Sequence, residues 1–311
     1  MRIWTVLVMI SMIGLLSAQW RREPPVHDPS TVVREGGDAW CFATGHGVAV
    51  LKQDGRNWNY AGSVFPRGKY PEWHREKVPG NEGHLWAPDV IELGNRWCVY
   101  YSVSTFGKNT SAIGMASRRK LGPGTEAEPW EDQGMIISSG RGDPFNAIDP
   151  AVIEDGLKLW MSFGSFWDGI MLIELDAKTG LRKGHRKPIP IANAPEIEAP
   201  FIYHQDGWFY LFVNWGLCCR GKDSTYEIRV GRSRDIEGPY LDKDDTPMTA
   251  GGGTLVLGSR GRFIGPGHAS IYQKGRKQWL VHHYYDGEDR GRSKLRLIEL
   301  EWKDGWPEVE R

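Results

Sequence analysis

The chain has 311 residues, 39 Lys plus Arg against 39 Asp plus Glu, and 40% apolar residues. That is a globular balance with ample material for a core, and it excludes a disordered or fibrous protein. The formal net charge is zero and the basic residues are scattered, so the electrostatic footprint of a nucleic-acid or anionic-membrane binder is missing and a neutral partner is expected.

Taken from the N-terminus, residues 1–18 place one early charge, Arg2, before an apolar run over residues 3–16 and the small pair Ser17-Ala18. This reads as a cleaved secretory signal rather than an anchor, because the run is shorter than the roughly 20 residues a spanning helix requires. A secreted or periplasmic protein with a mature chain of residues 19–311 is expected, with no membrane contact after cleavage. All four cysteines, Cys41, Cys98, Cys218 and Cys219, lie in that mature part, and no C-x-x-C spacing suggests zinc. The adjacent Cys218 and Cys219 leave two possibilities open, a strained vicinal disulfide or two free buried thiols.

Five segments share one layout: a Pro or similar residue, an alternating apolar stretch, a polar turn, then a strand rich in Trp, Tyr and Phe. They begin DPSTVV at Asp28, APDVIE at Ala87, DPAVIE at Asp149, APFIYH at Ala199 and GHASIY at Gly267. Aligning Pro29, Pro88, Pro150, Pro200 and His268 gives steps of 59, 62, 50 and 68 residues, enough for four strands each. The aromatic strands that follow are AWCFATG, RWCVYYSVS, KLWMSFGSF, WFYLFVNW and QWLVHHYY. Five similar units that cannot bury their faces alone predict an all-β, five-bladed β-propeller over residues 19–311. A β-sandwich is the alternative, but it requires no such repeat. The polar insert at residues 65–84 is expected to rim the site. The tripeptide at residues 141–143 is read as an ordinary turn, and the sequon at Asn109 matters only where the host glycosylates secreted proteins.

In a propeller, equivalent residues of different blades meet around one axis. That places Asp28 and Asp149 at one repeat position, Glu198 and Trp86 one residue earlier, Asp89 just beyond and His268 on the aligned position itself, so acids from several blades converge. Uncompensated acids raise one another's pKa, and such an arrangement persists where it does chemistry. Glycoside hydrolysis requires one protonated acid for the leaving oxygen and one ionised base for water. Glu198 suits the first role if burial and a neighbour such as Asp149 keep it protonated, and Asp28, beside His27, suits the second. Sugar-stacking surfaces are expected from Trp86, Phe106, Phe166 and Trp167.

At these residues the sequence resembles glycoside hydrolase family 43, and within it the arabinanases, over essentially the whole mature chain. The resemblance is carried by VHDPS at residues 26–30, LWAPDV at 85–90, YYSVSTFGKNTSAIG at 100–114, NAIDP at 146–150, SFGSFWDGI at 162–170, EAPF at 198–201, NWGLCCRG at 214–221 and GPGH at 265–268. It implies a five-bladed propeller and an inverting mechanism, with Asp28 as general base, Glu198 as general acid and Asp149 raising and orienting the acid. By the same resemblance Trp86 and Phe106 wall the substrate groove, Asn146 and Ser165 lie near the sugar at the point of cleavage, and His268 helps hold an ion, commonly calcium, at the axis. The substrate implied is the polysaccharide α-1,5-linked arabinan, attacked by a monomer. An exo-acting arabinofuranosidase or β-xylosidase, and a non-catalytic carbohydrate-binding propeller, are the competing readings.

Overall fold

The computed structural model describes residues 23–122 and 128–310; the signal segment expected at residues 1–18 lies outside them. The described residues form five antiparallel sheets, four of four strands and one of five. Blade one is Val33–Glu35, Asp38–Ala43, Ala49–Asp54 and Asn57–Ser63, and blade two is His84–Leu93, Arg96–Val103, Ser111–Arg118 and Glu131–Ser139. The two-residue strand Gly45–His46 adds to the inner edge of blade two. Blade three is Ala151–Asp155, Lys158–Phe163, Ile170–Leu175 and Ile189–Ala192; blade four is Ile197–Gln205, Trp208–Trp215, Glu227–Ser233 and Thr254–Leu257; blade five is Phe263–Lys274, Lys277–Asp286, Arg292–Lys303 and Trp306–Val309. The fold is the five-bladed β-propeller expected from the repeat.

The aromatic strands of the sequence are the second strand of each blade. They are buried over most of their length because both faces meet a neighbouring blade. Five apolar clusters fill the five blade interfaces. Trp40, Val99 and Tyr101 join blades one and two, Tyr100, Met115 and Met161 join two and three, and Trp160, Leu211 and Val213 join three and four. Phe212, Ile271 and Leu280 join four and five, and Cys41, Trp58 and Val281 join five to one. Each fully buried large side chain contributes about 1.5–3 kcal/mol of transfer free energy. The ring is also stitched by backbone, since Leu295 N–H donates to Pro24 O and Val26 N–H to Ser293 O.

The inner rim of every blade carries one non-glycine residue in the left-handed region: Asp28 (φ 50°), Ala87 (45°), Asp149 (59°), Ala199 (53°) and His268 (59°). Register shifts between Trp86 and Asp89, Glu198 and Phe201, and Gly267 and Ser270 mark bulges there. This corrects the repeat alignment by one residue in blade five: His268 is the counterpart of Asp28 and Asp149, and Ala269 stands where the other blades have proline. A left-handed non-glycine residue costs of order 1–3 kcal/mol, so each must be held. Each N–H is bonded by a side chain of the preceding blade: Asp28 to His283 Nδ1 (3.1 Å), Ala87 to Thr44 Oγ1 (2.8 Å), Asp149 to Ser102 Oγ (2.9 Å), Ala199 to Asp149 Oδ2 (3.1 Å) and His268 to Asn214 Oδ1 (2.8 Å).

Two expectations are corrected. The insert at residues 65–84 does not rim the site as a whole: its short helix Trp73–Lys77 lies against blade two, Tyr70 and Trp73 pack onto the core, and His84 alone of its residues reaches the cleft. Asp89 does not join the other acids; its carboxylate is buried between blades, accepting the N–H of Thr31 and of Val152. Asn109 is buried with its amide donating to Gly140 O and Asp143 O.

Candidate active site

A cleft of about 1300 Å³ opens where the inner rims converge, and Asp28, Asp149, Glu198, Trp86, Phe106, Asn146 and Ser165 all line it. Phe166 and Trp167 line it as well, whereas His268 is not among the lining residues; it lies behind, with Nδ1 3.6 Å from Asp28 Oδ1. Asp28 and Asp149 stand at left-handed rim positions, and Glu198 immediately precedes one. In blade four the ladder breaks between Glu198 and Phe201, which re-aims the side chains there, the usual use of a bulge near a site.

Asp28 is built to be an anion. Its Oδ2 accepts a 2.6 Å hydrogen bond from Thr44 Oγ1 and pairs with His27 Nδ1 at 2.7 Å. Burial alone would raise its pKa, but the charge and hydrogen bond of His27, with smaller contributions from His268 and His283, outweigh burial and hold it well below the usual carboxylate range. Burial likewise opposes the charged form of His27, and Asp28 overcomes it, pushing the imidazole up to about 10. The other two imidazoles differ. His283 Nδ1 accepts the Asp28 N–H, so that nitrogen carries no proton, and burial holds both His283 and His268 below the ordinary histidine value.

Glu198 has the opposite surroundings. It is 8% exposed, and burial, assisted by the charge of Asp28, pushes its carboxyl up to about 7 against the lowering effect of the Ser165 hydrogen bond. Ser165 Oγ donates to Glu198 Oε2 at 2.8 Å, and a backbone bridge between these two residues fixes the approach. Asp149 is also raised, by burial and then by the charge of Glu198, while its Oδ2 accepts the N–H of Ala199, the residue after Glu198. The two carboxyls titrate as a pair that resists full ionisation. One cleft thus holds a committed anion and a pair that retains a proton near neutrality.

The cleft also offers stacking surface. Three aromatic side chains are conspicuously exposed among the described residues, Phe106 (78%), Tyr60 (71%) and Trp167 (45%), and all three line this cleft. Trp86 is half-buried and donates its Nε1–H to His84 Nδ1 at 2.8 Å, and the Asn146 oxygen accepts a 2.7 Å bond from Ser111, which orients its amide. Tyr60 escaped the sequence reading because it stands on the outermost strand of blade one, outside the repeat position. Thr44, His283 and the His27 partner Tyr285 also escaped it. A signal for the first two existed: a polar residue four places after the strand aromatic recurs as Thr44 after Trp40, Asn214 after Tyr210 and His283 after Trp279.

Calcium held at His268 would have to keep most of its shell as water. Calcium takes six to eight oxygens, whereas this corner supplies neutral imidazoles and one carboxylate already engaged by His27 and Thr44. Softer donors meet elsewhere: Cys218 is half-buried and Cys219 exposed, both free, and Cys219 Sγ is 3.7 Å from His27 Nε2. They are not the two buried thiols of the sequence reading.

Known proteins place this geometry. Residues 24–307 match the family model for glycosyl hydrolases family 43. The chain is 40% identical, over 97% of its length and 92% of the relative's, to the extracellular exo-α-(1→5)-L-arabinofuranosidase ArbA of Cellvibrio japonicus. It is 40% identical, over 91% of its length and 87% of the relative's, to the extracellular endo-α-(1→5)-L-arabinanase 1 of Bacillus subtilis. Among solved structures, the Cellvibrio cellulosa α-L-arabinanase complexed with arabinohexaose superposes with a TM-score of 0.88 at 40% identity, covering 93% of this chain and 96% of that one. The chain belongs to glycosyl hydrolases family 43.

Proposed function

We propose that the protein is an exported hydrolase that cleaves α-1,5-linked L-arabinan with inversion, using Asp28 as general base and Glu198 as general acid. The observation that carries this reading is the split in protonation within one cleft, an anionic Asp28 facing the same space as a proton-retaining Glu198. Asp28 takes a proton from water as the water oxygen attacks the anomeric carbon, and Glu198 gives its proton to the leaving sugar oxygen as the glycosidic bond breaks. Asp149 serves the acid in two ways. Its carboxyl, raised by burial and by the charge of Glu198, shares the proton that the pair retains, and its bond to Ala199 N–H fixes the backbone that carries the acid.

The exposed rings of Tyr60, Phe106 and Trp167, with Trp86, supply faces for successive sugar units, while Asn146 and Ser165 lie close to the acids to position the sugar at the point of cleavage. An ion at His268 belongs to this reading only as a hydrated cation with one protein ligand, and no chemical step passes through it. Export is supported by the extracellular relatives and by the apolar segment at residues 3–16; the polysaccharide is the partner, and a monomer suffices because one chain supplies every residue named.

An exo-acting enzyme is the second reading, favoured by the exo-acting name of the Cellvibrio japonicus relative. The deciding experiment follows product sizes and viscosity with linear debranched arabinan. A fast viscosity drop with a ladder of oligomers establishes internal cleavage, and a single small product at nearly constant viscosity establishes action from an end. No product at all overturns the proposal in favour of another pentosan or a binding propeller. Proton NMR of the first-formed anomer tests inversion.

A further inference from the structure

The loop after the second strand of blade four carries Cys218 and Cys219 into the cleft wall. It is pinned on every side. Gly216 N–H donates to Glu196 O, Leu217 and Thr225 exchange bonds through Leu217 N–H to Thr225 Oγ1 and Thr225 N–H to Leu217 O, and Arg220 N–H donates to Ser224 Oγ. Within this frame Cys219 adopts a left-handed backbone (φ 63°), and the two sulfur atoms lie 2.6 Å apart, nearer than two unbonded sulfurs rest. Cys41 and Cys98 are buried in blades one and two and have no cysteine partner.

The loop also reaches the reacting groups. Cys219 N–H donates to the Tyr285 hydroxyl oxygen at 2.7 Å, that oxygen lies 2.7 Å from His27 Nε2, and His27 Nδ1 lies 2.7 Å from Asp28. A continuous series of contacts therefore runs from the cysteine pair to the carboxylate assigned as base.

We propose that Cys218 and Cys219 form a reversible vicinal disulfide in the cleft wall, and that its closure fixes the loop that positions Tyr285, His27 and through them Asp28. The second half of this proposal rests on the assignment of Asp28 as base. In the presence of a low-molecular-weight disulfide such as oxidised glutathione, the exposed Cys219 sulfur attacks one glutathione sulfur and releases one glutathione thiol. Cys218 then displaces the second glutathione and forms the intramolecular bond. The two cysteines lose two electrons and two protons, and one glutathione disulfide becomes two thiols. Adjacent Cα atoms are only about 3.8 Å apart, short of the usual disulfide span, so the bond is more easily reduced than an ordinary structural bridge. Cys218 and Cys219 act as positioning residues, and the bond is a modification site with an effect on turnover.

The test incubates the whole mature protein in oxidised or reduced glutathione, denatures it, alkylates free thiols and maps the peptides by mass. Two alkylated cysteines, Cys41 and Cys98, are expected after oxidation and four after reduction, with the oxidised 218–219 peptide lighter by two hydrogens. Four alkylated cysteines in both samples, or a stable glutathione adduct, overturn the disulfide. This readout is independent of arabinan cleavage, so it fails separately from the proposed activity. Turnover then tests the coupling. The reduced protein should show kcat lowered about fivefold, the size of one displaced hydrogen bond, with KM little changed, and the C218S/C219S variant should ignore the redox buffer. Equal kcat for both redox forms, or a change in KM alone, overturns the positioning role.

Discussion

Replacing Glu198 by Gln separates the acid's proton from its shape. The amide keeps an oxygen for the Ser165 hydroxyl, which now reaches Oε2 at 2.8 Å, and keeps the side-chain volume, so folding is preserved while the transferable proton is lost. The buried carboxyl titrates at about 7 in the fold against an ordinary 4.5, so the folded state binds its proton more tightly than the unfolded chain. Its contribution to stability is therefore complete below about 4.5 and is lost as pH rises through 7. The gap corresponds to on the order of 3 kcal/mol. At pH 8 the variant should be more stable than the wild type by about that amount, and the two should converge near pH 4. Urea unfolding followed by tryptophan fluorescence at several pH values measures the difference. On arabinan, with its poor leaving group, turnover should fall by roughly 10²–10⁴, and an aryl arabinoside with a good leaving group should retain far more. A stability difference that is flat with pH or of opposite sign, or near wild-type turnover on arabinan, refutes the assignment of Glu198 as a proton-holding acid.

The other expectations are briefer. Asp28→Asn should lose turnover whatever the leaving group, because attack by water requires the base in every case; selective loss on arabinan alone would exchange the roles of Asp28 and Glu198. Turnover of the wild type should decline as pH rises through about 7, where Glu198 gives up its proton, and a profile that keeps rising beyond pH 8 would contradict this. Tyr60→Ala removes an exposed ring from the cleft wall and should raise KM for long arabinans by about 3–10-fold, the worth of one stacking contact, with kcat little changed. Chelation should lower the rate or the melting temperature, calcium should restore it, and His268→Ala should abolish the calcium response; an unchanged rate and melting temperature after chelation remove the ion from the proposal.

The blade count was legible because four blades announce themselves with an Asp-Pro or Ala-Pro start and all five with an aromatic second strand, and the three acids were legible because the repeat period carries them to one rim. Blade five lacks the proline, so the register of His268 became visible only through its left-handed backbone. Asp89 was misplaced for a related reason. Spacing alone puts it on the same face as residues two positions earlier, but the bulge between Trp86 and Asp89 shifts the register and turns it into the blade interface. Tyr60 and the contacts from Tyr285 to His27 follow from which loops and outer strands meet across the ring, and no local pattern encodes that meeting.

Blade three explains why a near-symmetric scaffold holds an asymmetric site. In blades one, two, four and five the end of the second strand supplies a side chain, Thr44, Ser102, Asn214 or His283, that bonds the N–H of the left-handed residue of the next blade. The corresponding residue in blade three is Gly164, at φ 129°, where an added Cβ would lie 2.4 Å from Gly169 O. No side chain is admitted there, and the Ala199 N–H is instead bonded by Asp149 itself. The scaffold bond that is neutral or imidazole-based elsewhere is thus made by a carboxylate beside Glu198, which places two acids in one low-dielectric corner and raises both. On the far side of the rim the same structural duty falls to His283, whose Nδ1 bonds the Asp28 N–H while His27 neutralises the Asp28 carboxylate. A single repeated requirement, to hold a left-handed residue at each inner rim, is met with a carboxylate at one blade and with imidazole at another. The carboxylate gives the corner of Glu198 a second acid that raises the cost of ionising the pair, whereas on the Asp28 side the bonding imidazole stays neutral and His27 holds the anion.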